Sequence, residues 1–451
     1  MRSRFGEDNA RRRERGGTRV RLLAVAALLA GAGLFMRSGA GPAAKIEGDP
    51  LDTRQTPEEV AKFQALAQKP ITKPAELPPI ALAIDFDHIT KEGDHYEAPL
   101  ADGRRAILTL DPDLQTLAEK LLDQARAPRG AIVAMAPDGR ILALAGRRTA
   151  EPKGGTKGTA DWHLATEVWA PAASIFKLVT ASALVGSGVD PDDKICYHGG
   201  LRSVTDSNLR DTKSDNNCQS LSYGVAHSNN AILGKLAYQK LEPTALDKLA
   251  RDLGLAGMLP DTLGLAGTFG ELSLPQTRSL ELAQAAAGFS GSRLSVLGGA
   301  LLAATFADAG EQPKPRLVAS IVGAGVGAAA DTIVPPPHRV LAETIARSVG
   351  KMMVATCDSG SASRSFGKRR PIKVAGKTGT LTTNTPFFME HSWFVGYAPA
   401  EKPEIIVSVL LGNPESWHLR GHEAARKMID RAVHREEDRA DKLAERQAKQ
   451  R

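Results

Sequence analysis

The stretch Trp169-Ala-Pro-Ala-Ala-Ser-Ile-Phe-Lys-Leu-Val-Thr-Ala-Ser-Ala-Leu-Val185 decides how the rest of this chain is read. Pro171 predicts the first turn of a helix, where a missing N–H costs nothing. The apolar run that follows has helical spacing. Ser174 and Lys177 are three apart, so on a helix they share a face and lie within reach of each other. A serine beside a lysine in an apolar setting is one way to make a nucleophile. Burial and nearby positive charge lower the amine's pKa, and the neutral amine can then take the hydroxyl proton. The bland reading of the same pair is a helix cap and a solvated amine, and the pair alone does not choose between them.

Two later stretches bear on that choice. Ala226-His-Ser-Asn-Asn230 follows a polar loop and opens an apolar run, which predicts a helix start with Ser228 as an ordinary cap. Val374-Ala-Gly-Lys-Thr-Gly-Thr380 reads as part of a strand over 372–380. A glycine inside a strand marks close approach by another backbone, while a strand lysine is ordinarily a solvated face.

Outward from these stretches, a helix is predicted from Pro112 to about Ala127, with apolar Leu114, Leu117, Leu121 and Leu122. Gly130–Ala136 and Arg140–Ala145 predict a hairpin around Pro137-Asp138-Gly139. Residues 147–165 read as loop. Helices are expected from Ser220 to about Arg251, over Leu280–Ala307 and over Leu341–Ala355. Gly323–Ala330 lacks a dinucleotide-binding spacing and reads as a loop or strand end. Strands at His391–Tyr397 and Glu404–Leu411 follow the Lys377 strand, and a closing helix runs from His422 to about Val433. One sheet built from both ends of this body, with helices on its faces, is the economical architecture.

Of the 451 residues, 42% are hydrophobic and 24% charged, ordinary values for a globular protein. The net charge of +7 is concentrated at the start, where the first 21 residues hold eight arginines against three acids. The body shows no basic stripe with interleaved aromatics, so a nucleic-acid partner is not expected. Leu22–Met36 is an uninterrupted apolar run between Arg21 and Arg37. It reads as a signal anchor or as the apolar region of a cleavable signal peptide, with the anchor preferred. Cations on its N-terminal side keep residues 1–21 in the cytoplasm, and both readings export the body. The expected organisation is a basic arm (1–21), a transmembrane anchor in the cytoplasmic membrane (22–36), a periplasmic tether (37–104), a catalytic domain (105–434) and a charged tail (435–451). In an exported protein Cys196 and Cys218, flanking a polar loop, are the natural disulfide pair, the alternative being three unrelated thiols with Cys357. No spacing of cysteines or histidines suggests zinc; His418 and His422 read as a solvated helix face.

Taken together, Ser174-x-x-Lys177, Ser228-x-Asn230 and Lys377-Thr378-Gly379 resemble the three-motif signature of penicillin-binding proteins and serine β-lactamases. They stand in the right order, 54 and 149 residues apart. The flanks Thr109–Gln115, Gly130–Ala134, Gly360-Ser-Ala362 and Ser392–Pro399 look like penicillin-binding transpeptidase domains, and the resemblance covers about Arg105 to Ala432. It implies an α/β protein of the α+β type, with a central antiparallel sheet flanked by helices. It implies a peptidoglycan D,D-transpeptidase that cross-links stem peptides ending in D-Ala-D-Ala through a serine acyl-enzyme, with β-lactams as covalent inhibitors and no metal or cofactor.

By that resemblance Ser174 is the nucleophile and Lys177 its base. Ser228 relays a proton to the leaving amine, bridging it to Lys177, and Asn230 holds Lys177. Lys377, Thr378 and Thr380 bind the substrate carboxylate, and Gly379 lets the peptide lie against the strand. The N–H groups of Ser174 and Thr380 form the oxyanion hole. Tyr238–Leu246 lacks the Glu-x-x-Leu-Asn context of class A β-lactamases, and the second motif is not the Ser-x-Val usual in class D. A D,D-carboxypeptidase or β-lactamase of the same fold stays open as an alternative, as does a non-catalytic β-lactam-binding sensor or scaffold. The expectation is a class B-like monofunctional protein with a short N-terminal region, working in the inner membrane within a cell-wall synthesis complex. Ala173 departs from the glycine frequent before the nucleophile, and Asn229 is an unusual middle residue of its motif.

Overall fold

Asp111 and Pro112 start the first long helix, α1 (Pro112–Ala125). The Asp111 carboxylate accepts from the N–H groups of Asp113 (3.0 Å) and Leu114 (3.2 Å), and Pro112 supplies a helical φ without an orphan donor. In the computed structural model the described residues are 84–434, apart from 101–102, 150–157, 201–202, 259–264, 266, 324–329, 332–335 and 368–369. The basic arm, the apolar run 22–36, most of the expected tether and the tail 435–451 lie outside them.

The expected hairpin follows α1 as β1 (Arg129–Met135) and β2 (Ile141–Arg148), with β3 (Thr159–Ala160) pairing the end of β2 inside the stretch expected as loop. The middle of the chain is helical: α2 (Lys177–Gly186), α3 (Leu221–Ala226), α4 (Asn230–Lys240), α5 (Pro243–Asp252), α6 (Leu280–Ala286), α7 (Val296–Ala307), α8 (Glu343–Asp358) and the short α9 (Ser363–Phe366). Then come β4 (Ala375–Thr383), β5 (Met389–Ala398), β6 (Ile405–Asn413) and helix α10 over 421–434. The six strands form one antiparallel sheet in the order β4-β5-β6-β1-β2-β3. The two ends of the body meet where β6 pairs β1, Val407 opposite Ala134 and Val409 opposite Ile132.

Both faces of this sheet are covered, which is why its strands read as continuous apolar runs and not as alternation. Ala131, Val133, Met135, Val395 and Leu410 face α7 and the helical section. Ile132, Ala134, Phe394, Val407, Val409 and Leu411 face α1 and α10, against Leu121, Leu122, Ala425 and Met428. Helix α7 is apolar all round because it is sandwiched between sheet and helices. Gly299 sets its distance from the sheet: a Cβ there would lie 2.8 Å from Ser408 Oγ.

Three findings depart from the sequence reading. The body carries a second, five-stranded antiparallel sheet, formed by Thr90–Glu92, His95–Pro99, Arg105–Leu108, Val318–Val322 and Ala330–Asp331. Its first two strands come from residues expected as tether, and their short polar segments gave no strand signal. The apolar run 280–307 is two helices separated by a strand, Ser292–Leu294. That strand pairs with Ala170–Pro171, so Pro171 lies in a strand and not in a helical first turn. Cys196 and Cys218 face each other across the strand pair Lys194–Tyr197 and Asn217–Ser220 and are joined in a disulfide. Cys357 is buried and free on α8.

Candidate active site

Ser174 lies in a 3-10 turn, Ala173–Phe176, that runs directly into α2 at Lys177. Ala173 has φ +49, a left-handed backbone that glycine adopts without cost and alanine does not. This explains why glycine suits the position, and such strain is concentrated where a side chain must be aimed. The result puts Lys177 Nζ 2.7 Å from Ser174 Oγ, with the lysine side chain fully buried. The same nitrogen lies 2.7 Å from Asn230 Oδ1 and 2.7 Å from the Ala287 carbonyl. Both of these oxygens can only accept. A neutral amine has two N–H bonds for them and one lone pair left, and the remaining neighbour is the Ser174 hydroxyl. Burial, and secondarily the positive charge of Lys377, push the Lys177 amine well below its ordinary pKa.

Ser228 sits between α3 and α4 with φ +56. It does not cap α4. Asn229 does, its side chain accepting from the Ile232 N–H at 3.0 Å. That leaves the Ser228 hydroxyl free for the cleft, and it explains the middle residue of the motif. Ser228 Oγ accepts from Lys377 Nζ at 3.0 Å, and Lys377 also donates to the Thr378 carbonyl at 2.9 Å. The expected bridge was from Ser228 to Lys177; the lysine that Ser228 meets is Lys377. Lys377 is completely buried, and burial lowers its pKa to about 7.

Alternation along β4 divides the third motif between two faces. Lys377 and Gly379 point at the Ser174 segment. A Cβ on Gly379 would lie 3.3 Å from Ile175 Cγ1 and 3.4 Å from the Ala173 Cβ, so this glycine also sets how closely the nucleophile's turn packs on the strand. Thr378 and Thr380 line the open cleft beside Ser174, and the Thr378 hydroxyl pairs with Ser361 Oγ at 2.6 Å. β4 is an edge strand, so one row of its backbone groups is open to an added extended chain.

A cleft of about 330 Å³ collects Ser174, Ser228, Asn230, Thr378 and Thr380. Its other walls are Ser361, Glu390, Ser392, Trp393, Arg420 and His422, none of which the motif reading singled out as a site residue. The signals were weak: Ser361 and Ser392 lie in stretches whose resemblance was noted, and Arg420 stands between the two histidines read as a solvated face. The indole N–H of Trp393 donates to the Pro171 carbonyl at 2.9 Å, tying β5 to the Ser174 segment. A larger cleft, about 730 Å³, lies at the β1–β2 turn and the start of α1 and contains no motif residue.

The model of the penicillin-binding protein transpeptidase domain matches residues 130–433. The chain belongs to that family. It is similar to penicillin-binding protein PbpB of Mycobacterium tuberculosis, 25% identical over 349 residues, which is 72% of this chain and 50% of the relative. It is also similar to the peptidoglycan D,D-transpeptidase PbpA of Mycolicibacterium smegmatis, 25% identical over 322 residues, 63% of this chain and 62% of the relative. The chain thus spans one half to about three fifths of the length of these relatives. Among solved structures, the imipenem acyl-enzyme of penicillin-binding protein A from M. tuberculosis superposes with a TM-score of 0.61 at 23% identity, over 73% of this chain and 80% of that one. That match shows a shared fold, the mixed helix and antiparallel-sheet architecture described above.

Proposed function

We propose that the chain is a peptidoglycan D,D-transpeptidase that works through a serine acyl-enzyme and is acylated by β-lactams. The observation that carries this reading is the buried Lys177 amine, 2.7 Å from Ser174 Oγ, with both of its other neighbours acceptors only. Ser174 Oγ attacks the carbonyl between two D-alanines, and its proton passes to Lys177 Nζ. The carbonyl oxygen gains the negative charge and is met by the N–H groups of Ser174 and Thr380. As the intermediate collapses, the C–N bond breaks and Ser228 gives its proton to the leaving amine while taking one from Lys377 Nζ, its donor at 3.0 Å; Lys177 holds the Ser174 proton until deacylation, when the attacking amine passes its proton to Lys377. Lys377 attracts the terminal carboxylate, with Thr378 and Thr380 hydroxyls beside it. Asn230 keeps Lys177 in place. The amine of a second stem peptide then takes the acyl group and Ser174 regains its proton. The chemistry needs no metal or cofactor.

The organisation read from the sequence belongs to the same proposal. Residues 22–36 anchor the chain in the cytoplasmic membrane, and the domain at 105–434 works outside it within a cell-wall synthesis complex. Labelling with a fluorescent penicillin tests the chemistry, with covalent label expected on the wild type and none on Ser174→Ala. A wild-type protein that takes no label sinks the reading. A stem-pentapeptide assay that yields only free D-alanine, with no cross-linked dimer, would replace the transpeptidase by a carboxypeptidase.

A further inference from the structure

Arg420 lies on the segment between β6 and α10 and lines the cleft that holds Ser174, Thr378 and Thr380. Its backbone is fixed. The Arg420 N–H donates to Glu423 Oε2 at 2.8 Å, and the Gly421 N–H donates to Ser392 Oγ at 3.0 Å. Ser392 is the β5 residue opposite Thr380, and Arg420 lines the same cleft as Thr380. Its guanidinium carbon sits 4.1 Å from the centre of the half-exposed Trp417 ring. Its Nε is buried and has no hydrogen-bond partner. Among the described residues no carboxylate forms an ion pair with it.

The other ionisable groups at this end of the cleft do not neutralise it. Glu390 lines the same cleft without an ion pair to Arg420. Burial lowers the pKa of the His422 imidazole, with Glu423 opposing the shift and Arg420 and Arg364 adding to it; the Glu423 carboxylate accepts from the Arg420 backbone N–H and forms no ion pair with its guanidinium. Lys377 lies beyond Thr378, towards the Ser228 end, where the proposed reading seats the terminal carboxylate. An arginine stacked on an aromatic ring keeps its planar donor edge free for a carboxylate. An extended donor laid on the β4 edge has its terminal carboxylate at the Lys377 end and its acyl portion at the Thr380–Thr382 end.

We propose that Arg420, seated on Trp417, binds a second carboxylate of the acyl donor, on the acyl side of the bond attacked by Ser174, and selects donors that carry it. The inference rests on the acyl-transfer reading above, and its probes are a matched pair. Carbenicillin is benzylpenicillin with one added carboxylate on the acyl side chain. Rates of acylation by each are measured on wild type, Arg420→Gln and Arg420→Lys. The ratio of the carbenicillin rate to the benzylpenicillin rate should fall about tenfold in Arg420→Gln, as expected for one lost charge-assisted contact. Arg420→Lys should recover part of it. Each variant is its own folding control, since only the ratio is compared. An unchanged ratio in both variants overturns the inference while leaving the acyl-transfer reading intact. Absence of benzylpenicillin acylation in the wild type overturns both.

Discussion

Replacing Lys377 by methionine should make the protein more stable at neutral pH while it disables the site. Lys377 is fully buried, and its folded pKa falls from 10.5 to about 7. A drop of about 3.5 units corresponds to about 4 kcal/mol at pH 7, at 1.36 kcal/mol per unit and allowing for half protonation at that pH. Methionine has similar length and carries no proton. Against this gain stand two lost hydrogen bonds, to Ser228 Oγ (3.0 Å) and the Thr378 carbonyl (2.9 Å), at about 1 kcal/mol each. The expected net effect at pH 7 is about 2 kcal/mol in favour of the variant. The sign must then change with pH. Between pH 7 and 10.5 the unfolded lysine binds a proton that the folded one does not, so wild-type stability rises with pH through that window. By pH 10 the wild type should have gained about 4 kcal/mol on the variant and be the more stable protein. Lys177 is present in both proteins; in the variant it is freed from the Lys377 charge, which adds to the variant's advantage at pH 7. Denaturant unfolding of both at pH 7 and pH 10, alongside acylation by a fluorescent penicillin, reads the effect. A variant less stable at pH 7, with a gap that does not change by pH 10, refutes the reasoning. Such a result would mean that the folded protein holds Lys377 charged at little cost.

Lys177→Ala should lower the acylation rate, read by stopped flow, by about 10²–10⁴-fold, the usual worth of a positioned base; an unchanged rate contradicts the assigned role. Replacing Cys196 and Cys218 together by serine should cost about 3 kcal/mol, from the loop closed by a bridge 22 residues apart, and reduced wild type should melt with the variant. Lys235→Met should cost about 3–5 kcal/mol, because the buried Lys235 ammonium binds Asp215 (2.7 Å), Asp211 (2.9 Å) and the Cys196 carbonyl (2.8 Å), and its loss strands a buried carboxylate. Burial alone would raise the Asp215 carboxyl, but hydrogen bonds with His198 and Lys235 outweigh it and hold the pKa well below the usual carboxylate range. The stability it contributes is present above about pH 4 and is lost on acidification below that, so an acid titration of folding should be steeper in wild type than in Lys235→Met.

The sequence by itself determined the elements whose cause is local. The Asp111-Pro112 cap, the Pro137-Asp138-Gly139 turn and the apolar run at 405–411 are set by residues next to one another, and they appear within a few positions of where they were expected. It also singled out Ser174, Ser228, Asn230, Thr378 and Thr380, which the fold brings to one cleft, but not Ser361, Glu390, Ser392, Trp393, Arg420 or His422, which line it with them. What the tertiary structure decided is what depends on groups far apart in the chain. Pro171 enters a strand because Ser292–Leu294 is there to pair with it. Thr90–Glu92 and His95–Pro99, too short and polar to signal themselves, become strands because Arg105–Leu108 and Val318–Val322 complete their sheet. The Ser174–Lys177 pair shows the division most clearly. Spacing brings the two side chains to one face, but a solvated lysine would be charged and useless as a base. The Ala287 carbonyl, Asn230 Oδ1 and the Lys377 charge arrive from 110, 53 and 200 residues away in the chain. Burial, and secondarily the Lys377 charge, push the Lys177 amine well below its ordinary pKa, and both are properties of the packed surroundings and not of the motif. The same holds for Arg420, which in sequence is a charge between two histidines and in the fold is a cation on an indole ring at the edge of the cleft.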